Sequence, residues 1–131
     1  MSLQSRHLLD DGVSFTISRV QKNRNVKKAE LLYRDFYYAL MEIKRIGFLP
    51  DLFAYIADVY ILTADDVQEI LSIYPNVNCI VVISNWDNYT DMAKELAKES
   101  NVGVFSINEF MVALGLYGKR FLDTGNPTKT E

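Results

Sequence analysis

The chain has 131 residues, 49% of them hydrophobic and 24% charged, and a formal net charge of -3. This length allows one well-buried core but not two, and the composition excludes wholesale disorder. The small negative charge gives no general attraction to nucleic acid or to anionic membranes, so such partners would need a local basic patch.

No segment of the sequence predicts a membrane span or a signal peptide. A span needs about 18 or more consecutive apolar residues, and a signal peptide needs a basic start followed by an apolar stretch; neither pattern is present. We therefore expect a cytoplasmic protein without membrane contact. The single cysteine, Cys79, lies in the apolar run 79-CIVVI-83, which predicts a buried structural thiol.

The sequence predicts one domain with a loose segment at each end. We expect a flexible stretch over residues 1-12, a single α/β domain over 13-118 and a mobile polar tail over 119-131. The first predicted element is 13-VSFTISRV-20, in which apolar and polar residues roughly alternate. Such alternation is typical of a half-buried strand.

A long amphipathic helix is predicted next, over residues 27-46. Its apolar residues recur at steps of three and four along the chain, and Gly47 follows as a typical helix end. Beyond Pro50, the run 52-LFAYIADVYIL-62 is rich in β-branched and aromatic residues. Because it is long for an average strand, it predicts either one long strand or two short ones.

The rest of the chain predicts repeated strand and helix units. They are a helix begun by Thr63 and ended by Pro75, a strand over 78-84, a helix capped by Thr90 or Asn88 and running to Ser100, a strand over 102-107, and a helix over 110-117 ended by Gly118. Thr63 with Asp66, and Ser106 with Glu109, have the spacing of capping boxes.

This order of elements predicts the fold class. The strand over 78-84 is apolar without alternation, as in strands that are covered on both faces. We expect an α/β three-layer sandwich with a largely parallel or mixed sheet of about four to five strands and helices on both faces.

The second half, 80-IVVISNWDNYTDMAKELAKESNVGVFSINEFMVALG-115, resembles the end of restriction-endonuclease-like domains of the PD-(D/E)xK superfamily. The resemblance extends over residues 27-116 and identifies Pro50-Asp51 with the PD element and 58-DVY-60 with the (D/E)-x-K element. It places Glu30 on the opening helix as an accessory acid. It implies a metal-dependent nuclease fold in which two acids hold one or two divalent cations and a lysine helps to activate water.

The chain departs from this family pattern at the lysine. The third motif position is Tyr60, whose phenol is uncharged at neutral pH and cannot replace an ammonium group. No lysine or arginine lies between Arg45 and Lys94, whereas this span holds seven acids. A phosphodiester would meet net negative charge there, because binding a nucleic-acid backbone needs several basic contacts.

The acids also have ordinary structural explanations. Asp51 follows Pro50, and aspartate is favoured in turns. Asp58 would lie in a turn if the run 52-62 forms two strands, and Glu30 suits the first turn of the predicted helix.

Two functions from different classes follow. The missing base favours a non-catalytic binding or regulatory module derived from a restriction-endonuclease-like fold, without a cofactor. The alternative is a Mg-dependent nuclease acting on DNA, with Asp51 and Asp58 as metal ligands, Glu30 as an accessory acid, and Lys44 or Lys94 as the lysine brought from another element. An α/β domain unrelated to nucleases remains a third possibility.

Two surfaces are candidates for partners. One basic cluster without acids contains Arg19, Lys22, Arg24, Lys27 and Lys28. This cluster could contact the phosphates of a nucleic acid, although a solvated loop before a helix also explains it and is the favoured interpretation. On the predicted helix over 27-46, Tyr33 and Tyr37 share one face, and tyrosine is enriched at interfaces. They predict either a contact with a protein partner or with a second copy of the chain, or the edge of the core.

Overall fold

The fold is seen in a computed structural model that describes residues 10–83 and 89–125. The elements in this part of the chain are α1 (Asp10–Gln21), β1 (Val26–Arg34), β2 (Tyr38–Arg45), β3 (Leu52–Ala57), α2 (Ala64–Ile73), β4 (Cys79–Val82), α3 (Asp91–Glu99), β5 (Gly103–Ser106), α4 (Ile107–Ala113) and α5 (Gly118–Leu122).

The five strands form one mixed sheet in the order β1-β2-β3-β4-β5. β1 pairs with β2 and β2 with β3 in antiparallel fashion, whereas β3 with β4 and β4 with β5 are parallel. The predicted α/β class and the mixed sheet are confirmed. The two parallel pairs are connected through α2 and α3, as parallel connections require a crossover.

Helices pack on both faces of the sheet. The α1 face is the side on which Met41, Ile56 and Phe105 pack with residues of α1, α4 and α5. The α2 face is the opposite side, on which Tyr55 and Ile80 pack with residues of α2 and α3. This three-layer arrangement is the predicted one.

In the second half of the chain, the predicted helix starts are confirmed. Thr63 caps α2 and Ser106 caps α4, and in each capping box the hydroxyl accepts a hydrogen bond from the N–H three residues later, while the N3 carboxylate accepts one from the cap N–H. Thr90 caps α3. The alternative cap, Asn88, and the end of the strand predicted over 78-84 lie outside the described residues.

The strand predicted over 78-84 is confirmed as β4, and each of its four residues is buried. Cys79 is a free, fully buried thiol, as expected, and burial raises its pKa above the ordinary value. The run 52-62 contains one strand, β3, after which Leu62 forms an isolated bridge with Tyr89.

The strand predicted over 13-20 is wrong, because these residues belong to α1. Val13, Thr16 and Val20 are buried, with Ile17 half-buried beside them. Their spacing of three, four and seven residues is that of one helix face. Phe15, which the strand prediction turned inward, is 60% exposed.

The helix predicted over 27-46 is also wrong, because this segment forms the antiparallel hairpin of β1 and β2. Asp35 shapes the turn: its Oδ1 accepts hydrogen bonds from the backbone N–H groups of Tyr37 and Tyr38. Every second residue of β2 from Ala39 to Arg45 faces the α1 side, and each of these residues is buried. Tertiary pairing with β3 therefore overrides the helical spacing.

Secondary structure extends into both segments that were predicted to be loose. α1 begins at Asp10, inside the segment 1-12. α5 begins at Gly118 and extends into the segment 119-131, and its Phe121 is buried against Phe105, with ring centroids 5.1 Å apart. None of the helices in the described part of the chain has the length and apolar composition of a membrane span.

Candidate functional site

The β1–β2 hairpin brings two acids and two lysines onto one side of the sheet. In the hairpin register Glu30 lies directly opposite Glu42, and Lys28 lies opposite Lys44. Directly opposed residues share a face and have Cβ atoms about 5 Å apart. Residues two apart along a strand also share a face, so all four side chains project from the α2 face, like Leu40.

This hairpin site, which we define as Glu30, Glu42 and Lys44, is open to solvent. Glu42 is half-buried, whereas Glu30 and Lys44 are exposed. Lys28 Nζ lies 3.8 Å from Glu30 Oε2, and these side chains are 63% and 51% exposed. An exposed ion pair of this kind contributes little free energy. Like charges directly opposed on neighbouring strands destabilise a sheet, so the two glutamates form a place where a cation is favourable.

The basic cluster of Arg19, Lys22, Arg24, Lys27 and Lys28 lies beside the hairpin site. Arg19 and Lys22 lie at the end of α1 and just beyond it, and Lys27 and Lys28 belong to the start of β1. Lys22, Arg24, Lys27 and Lys28 are exposed. Arg19 is partly engaged elsewhere, because it donates a hydrogen bond to Asn108 Oδ1 at 3.0 Å and lies over the Phe15 ring. The exposed lysines therefore lead along β1 to Glu30.

The structure separates the two aspartates of the predicted metal site. Asp51 immediately precedes β3, and Asp58 immediately follows it. Seven residue steps of a strand, at about 3.3 Å each, place them roughly 20 Å apart. Ligands of one Mg²⁺ lie about 2 Å from the ion. Asp51 and Asp58 therefore do not share a cation.

The two candidate lysines have different surroundings. Lys44 lies on β2 and not at the end of a helix. Because its neighbour Ile43 pairs with Leu52, Lys44 lies near the start of β3, which Asp51 precedes. Lys94 is fully buried in α3 and donates hydrogen bonds to the carbonyl oxygens of Val104 and Thr124 at 2.5 and 2.6 Å. It holds the chain after α5 against β5.

The tyrosines of the predicted partner surface lie on the hairpin and not on a helix. Tyr33 ends β1 next to the turn, and Tyr37 precedes β2. They are 46% and 39% exposed. Tyr33 packs its ring on Tyr38, with centroids 5.5 Å apart, and donates a hydrogen bond to Asp35.

Glu42 is the residue of the hairpin site that sequence reasoning missed. The tripeptide 42-EIK-44 has the E-x-K spacing that the PD-(D/E)xK superfamily requires, but the helix predicted over 27-46 concealed it. A signal was present: the aromatic residues around Asp35 favour a turn between strands more than a helix interior. Glu30 was identified as an accessory acid, and the structure moves it from a helix to β1.

The chain matches no family model, no curated protein and no solved structure. Function must therefore be inferred from the residues of the hairpin.

Proposed function

We propose that this protein is a metal-dependent nuclease whose reaction centre is the hairpin site. The observation that carries the proposal is the direct pairing of Glu30 with Glu42 across β1 and β2, with Lys44 two residues further on the same face. This is the arrangement of two acids and a lysine that the restriction-endonuclease-like superfamily carries on a hairpin. It replaces the assignment of Asp51 and Asp58 as metal ligands.

The residues of the hairpin site fit a magnesium ion. Mg²⁺ is usually bound through one or two carboxylates together with waters and substrate phosphate oxygens, and it does not need a closed cage of protein ligands. Glu30 and Glu42 provide two carboxylates on an open surface. A bound cation would lower the pKa of a water molecule and neutralise charge on the phosphate.

Lys44, one of the two lysines that the sequence offered, supplies the positive charge that Tyr60 cannot provide. Its exposed ammonium group is on the same face as Glu42 and close to it along β2. There it can orient a phosphate oxygen and stabilise the negative charge that develops on it. The exposed basic residues before Glu30 in the chain can bind neighbouring phosphates of a polynucleotide; they are Lys22, Arg24, Lys27 and Lys28.

The test is hydrolysis of DNA and RNA by the purified protein in the presence of Mg²⁺ or Mn²⁺, with the Glu42→Gln variant beside the wild type. We expect cleavage that depends on the metal and falls about a hundredfold or more in the variant, because the variant loses a metal ligand. Glu99→Gln is the matched control, since Glu99 is an exposed acid on α3. Cleavage that survives Glu42→Gln unchanged would exclude the hairpin site.

A second measurement reports on the metal alone. A cation that binds only the folded protein raises the free energy of unfolding by about 2.7 kcal/mol at a hundredfold excess over its dissociation constant. We expect the melting temperature of the wild type to rise with Mg²⁺ and that of Glu42→Gln to rise much less. Equal responses of the two proteins would contradict binding at Glu42.

The second candidate is a non-catalytic module that binds nucleic acid. One support is that the described residues contain no group of three or more histidine, cysteine or acidic side chains able to hold a metal ion. A second support is the ion pair of Glu30 with Lys28. Such a module would bind DNA or RNA with a strong salt dependence and would not cleave either one. In both cases Tyr33 and Tyr37 offer a surface for a protein partner or a second copy of the chain.

A further inference from the structure

A tyrosine-lined cavity lies on the α2 face at the other end of the hairpin from Glu42 and Lys44. It has a volume of about 210 Å³ and lies between the start of β2 and helix α2. We call it the tyrosine pocket and define it by Tyr37, Tyr38, Tyr55, Tyr74, Asp35 and Glu69, which line it. Its side chains take no part in the proposed hydrolysis.

The aromatic rings of the tyrosine pocket face in two directions. Tyr38 and Tyr55 are stacked, with centroids 4.8 Å apart and planes at 13°. Tyr74 is inclined to both, at 63° to Tyr38 and 54° to Tyr55. The hydroxyl groups of Tyr38 and Tyr74 are hydrogen-bonded to each other. This contact fixes the angle between two walls whose ring faces carry partial negative charge.

Two carboxylates add full negative charge to the same pocket. Asp35 and Glu69 are half-buried, and no lysine or arginine of residues 10–83 and 89–125 forms an ion pair with either of them. The hydrogen bonds that Asp35 accepts come from two backbone N–H groups and from the Tyr33 hydroxyl. These donors orient the carboxylate but do not neutralise it.

Burial and the neighbouring acidic groups both keep the tyrosines of the pocket protonated. Burial raises the pKa of Tyr55 most, and Tyr38, Asp35, Tyr74 and Glu69 raise it further. Burial and the hydrogen bond to Tyr74 raise the pKa of Tyr38. Both phenols are therefore uncharged at neutral pH. Because Tyr55 is 3% exposed and stacks on Tyr38, the more exposed rings of the pocket are those of Tyr37 and Tyr74.

We propose that the tyrosine pocket binds an alkylammonium cation. The faces of tyrosine rings attract such a cation over a distance of up to about 6 Å from the centroid, and the carboxylates of Asp35 and Glu69 complement its charge. The same two carboxylates repel phosphate, so the pocket does not serve the polyanion that the hairpin site would take. Its ligand is either a free amine or the lysine side chain of a partner protein.

The central experiment compares choline with 3,3-dimethyl-1-butanol, which has the same shape without the charge. Each is titrated into the full chain, and the ring signals of the tyrosines are followed by NMR. We expect choline to move the signals of Tyr38, Tyr55 and Tyr74 and to bind at least about fivefold more tightly than the alcohol, since a cation–π contact contributes about 1 kcal/mol or more. Equal affinities, or shifts confined to Tyr60 and Tyr117, would overturn the proposal.

Two variants locate the charge that attracts the ligand. Glu69→Gln keeps the shape of the side chain and removes its charge, and we expect choline affinity to fall at least about threefold. Glu99→Gln, which makes the same change in net charge on α3, should bind choline like the wild type. If both variants bind equally well, the pocket does not select a cation through Glu69, and the proposal fails.

A last pair of probes distinguishes the source of the cation. A blocked Gly-Lys-Gly peptide is compared with the same peptide carrying norleucine, and spermidine is titrated separately. Tighter binding of the lysine peptide than of the norleucine peptide assigns the pocket to a partner protein, and binding of spermidine without the peptide assigns it to a free amine. Binding of neither, with choline also inactive, would exclude an alkylammonium site.

Discussion

The two halves of the sheet differ in how they are covered. β4 and β5 are buried at every residue and lie between helices on both faces. The β1–β2 hairpin is covered on the α1 face, whereas its other face is covered near the turn, at Tyr38 and Leu40, and exposes Lys28, Glu30 and Lys44 to solvent. The helix-covered half therefore supplies most of the buried apolar contacts, whereas the hairpin carries the charged groups. We expect stability and chemistry to be affected by different substitutions.

The largest expected effect is a loss of stability in the helix-covered half. Phe105 is fully buried, and its ring lies against Phe110, Phe121 and the Lys94 ammonium. Phe105→Ala should lower the free energy of unfolding by about 3–5 kcal/mol, as is usual for a deleted core phenylalanine. Urea denaturation of the purified variant measures the loss.

The matched control for Phe105 lies on the hairpin. Leu32 is 51% exposed, and Leu32→Ala should change the free energy of unfolding by no more than about 0.5 kcal/mol. Should Phe105→Ala not fold, Phe105→Leu should show a smaller loss in the same direction. Equal losses for the Phe105 and Leu32 variants would mean that the two halves do not differ in their contribution to stability.

The reverse pattern is expected for Lys44. Because Lys44 is exposed at the hairpin site, Lys44→Met should leave the urea midpoint close to that of the wild type. If the hairpin is the reaction centre, the rate of metal-dependent cleavage should fall about a hundredfold, as when a charge-stabilising group is removed. Lys27→Met, which removes an exposed lysine of β1, should weaken binding to nucleic acid and leave the maximal rate near that of the wild type.

A smaller effect is expected where a local hydrogen bond stabilises the helix-covered half. Ser106 is 1% exposed, and its hydroxyl accepts the hydrogen bond of the Glu109 N–H at 3.3 Å. Ser106→Ala should lower the free energy of unfolding by about 1 kcal/mol. Ser72→Ala, on the exposed side of α2, is the control and should lie within about 0.5 kcal/mol of the wild type. A neutral Ser106→Ala variant would mean that the cap does not stabilise this half.

The capping boxes also show which part of the fold the sequence could predict. Thr63 with Asp66, and Ser106 with Glu109, act within four residues, so their spacing alone predicts the bonds that the structure contains. β4 was predictable for a similar reason, because a short apolar run between polar turns is typical of a strand covered on both faces.

The hairpin was not predictable from spacing, because its cause is pairing between two strands and not the periodicity of one segment. Gly47 has a φ of 62°, as a glycine at a helix end would, but here it follows β2. The apolar residues between 27 and 46 have the spacing of a helix because they belong to two strands whose pairing register shifts between Leu31 and Tyr33. The pairing of Glu30 with Glu42, and with it the candidate site, appears only when these strands are placed side by side.

The smallest expected effect concerns the edge of the helix-covered half, where Asp123 connects the end of α5 to α3. Asp123 accepts hydrogen bonds from Lys98 at 2.9 Å and Lys119 at 3.3 Å, and these bonds, that of Lys98 first, lower its pKa. A carboxylate with a lowered pKa in the folded state stabilises the protein above its unfolded pKa, and this stabilisation disappears as the pH falls through the folded value. Asp123→Asn should therefore lower the melting temperature slightly at pH 7, and the difference should shrink as the pH falls below the unfolded pKa. Because the ion pairs are partly exposed, 1 M NaCl should reduce the difference at pH 7. A difference that persists in acid would mean that Asp123 stabilises this edge through packing and not through its charge.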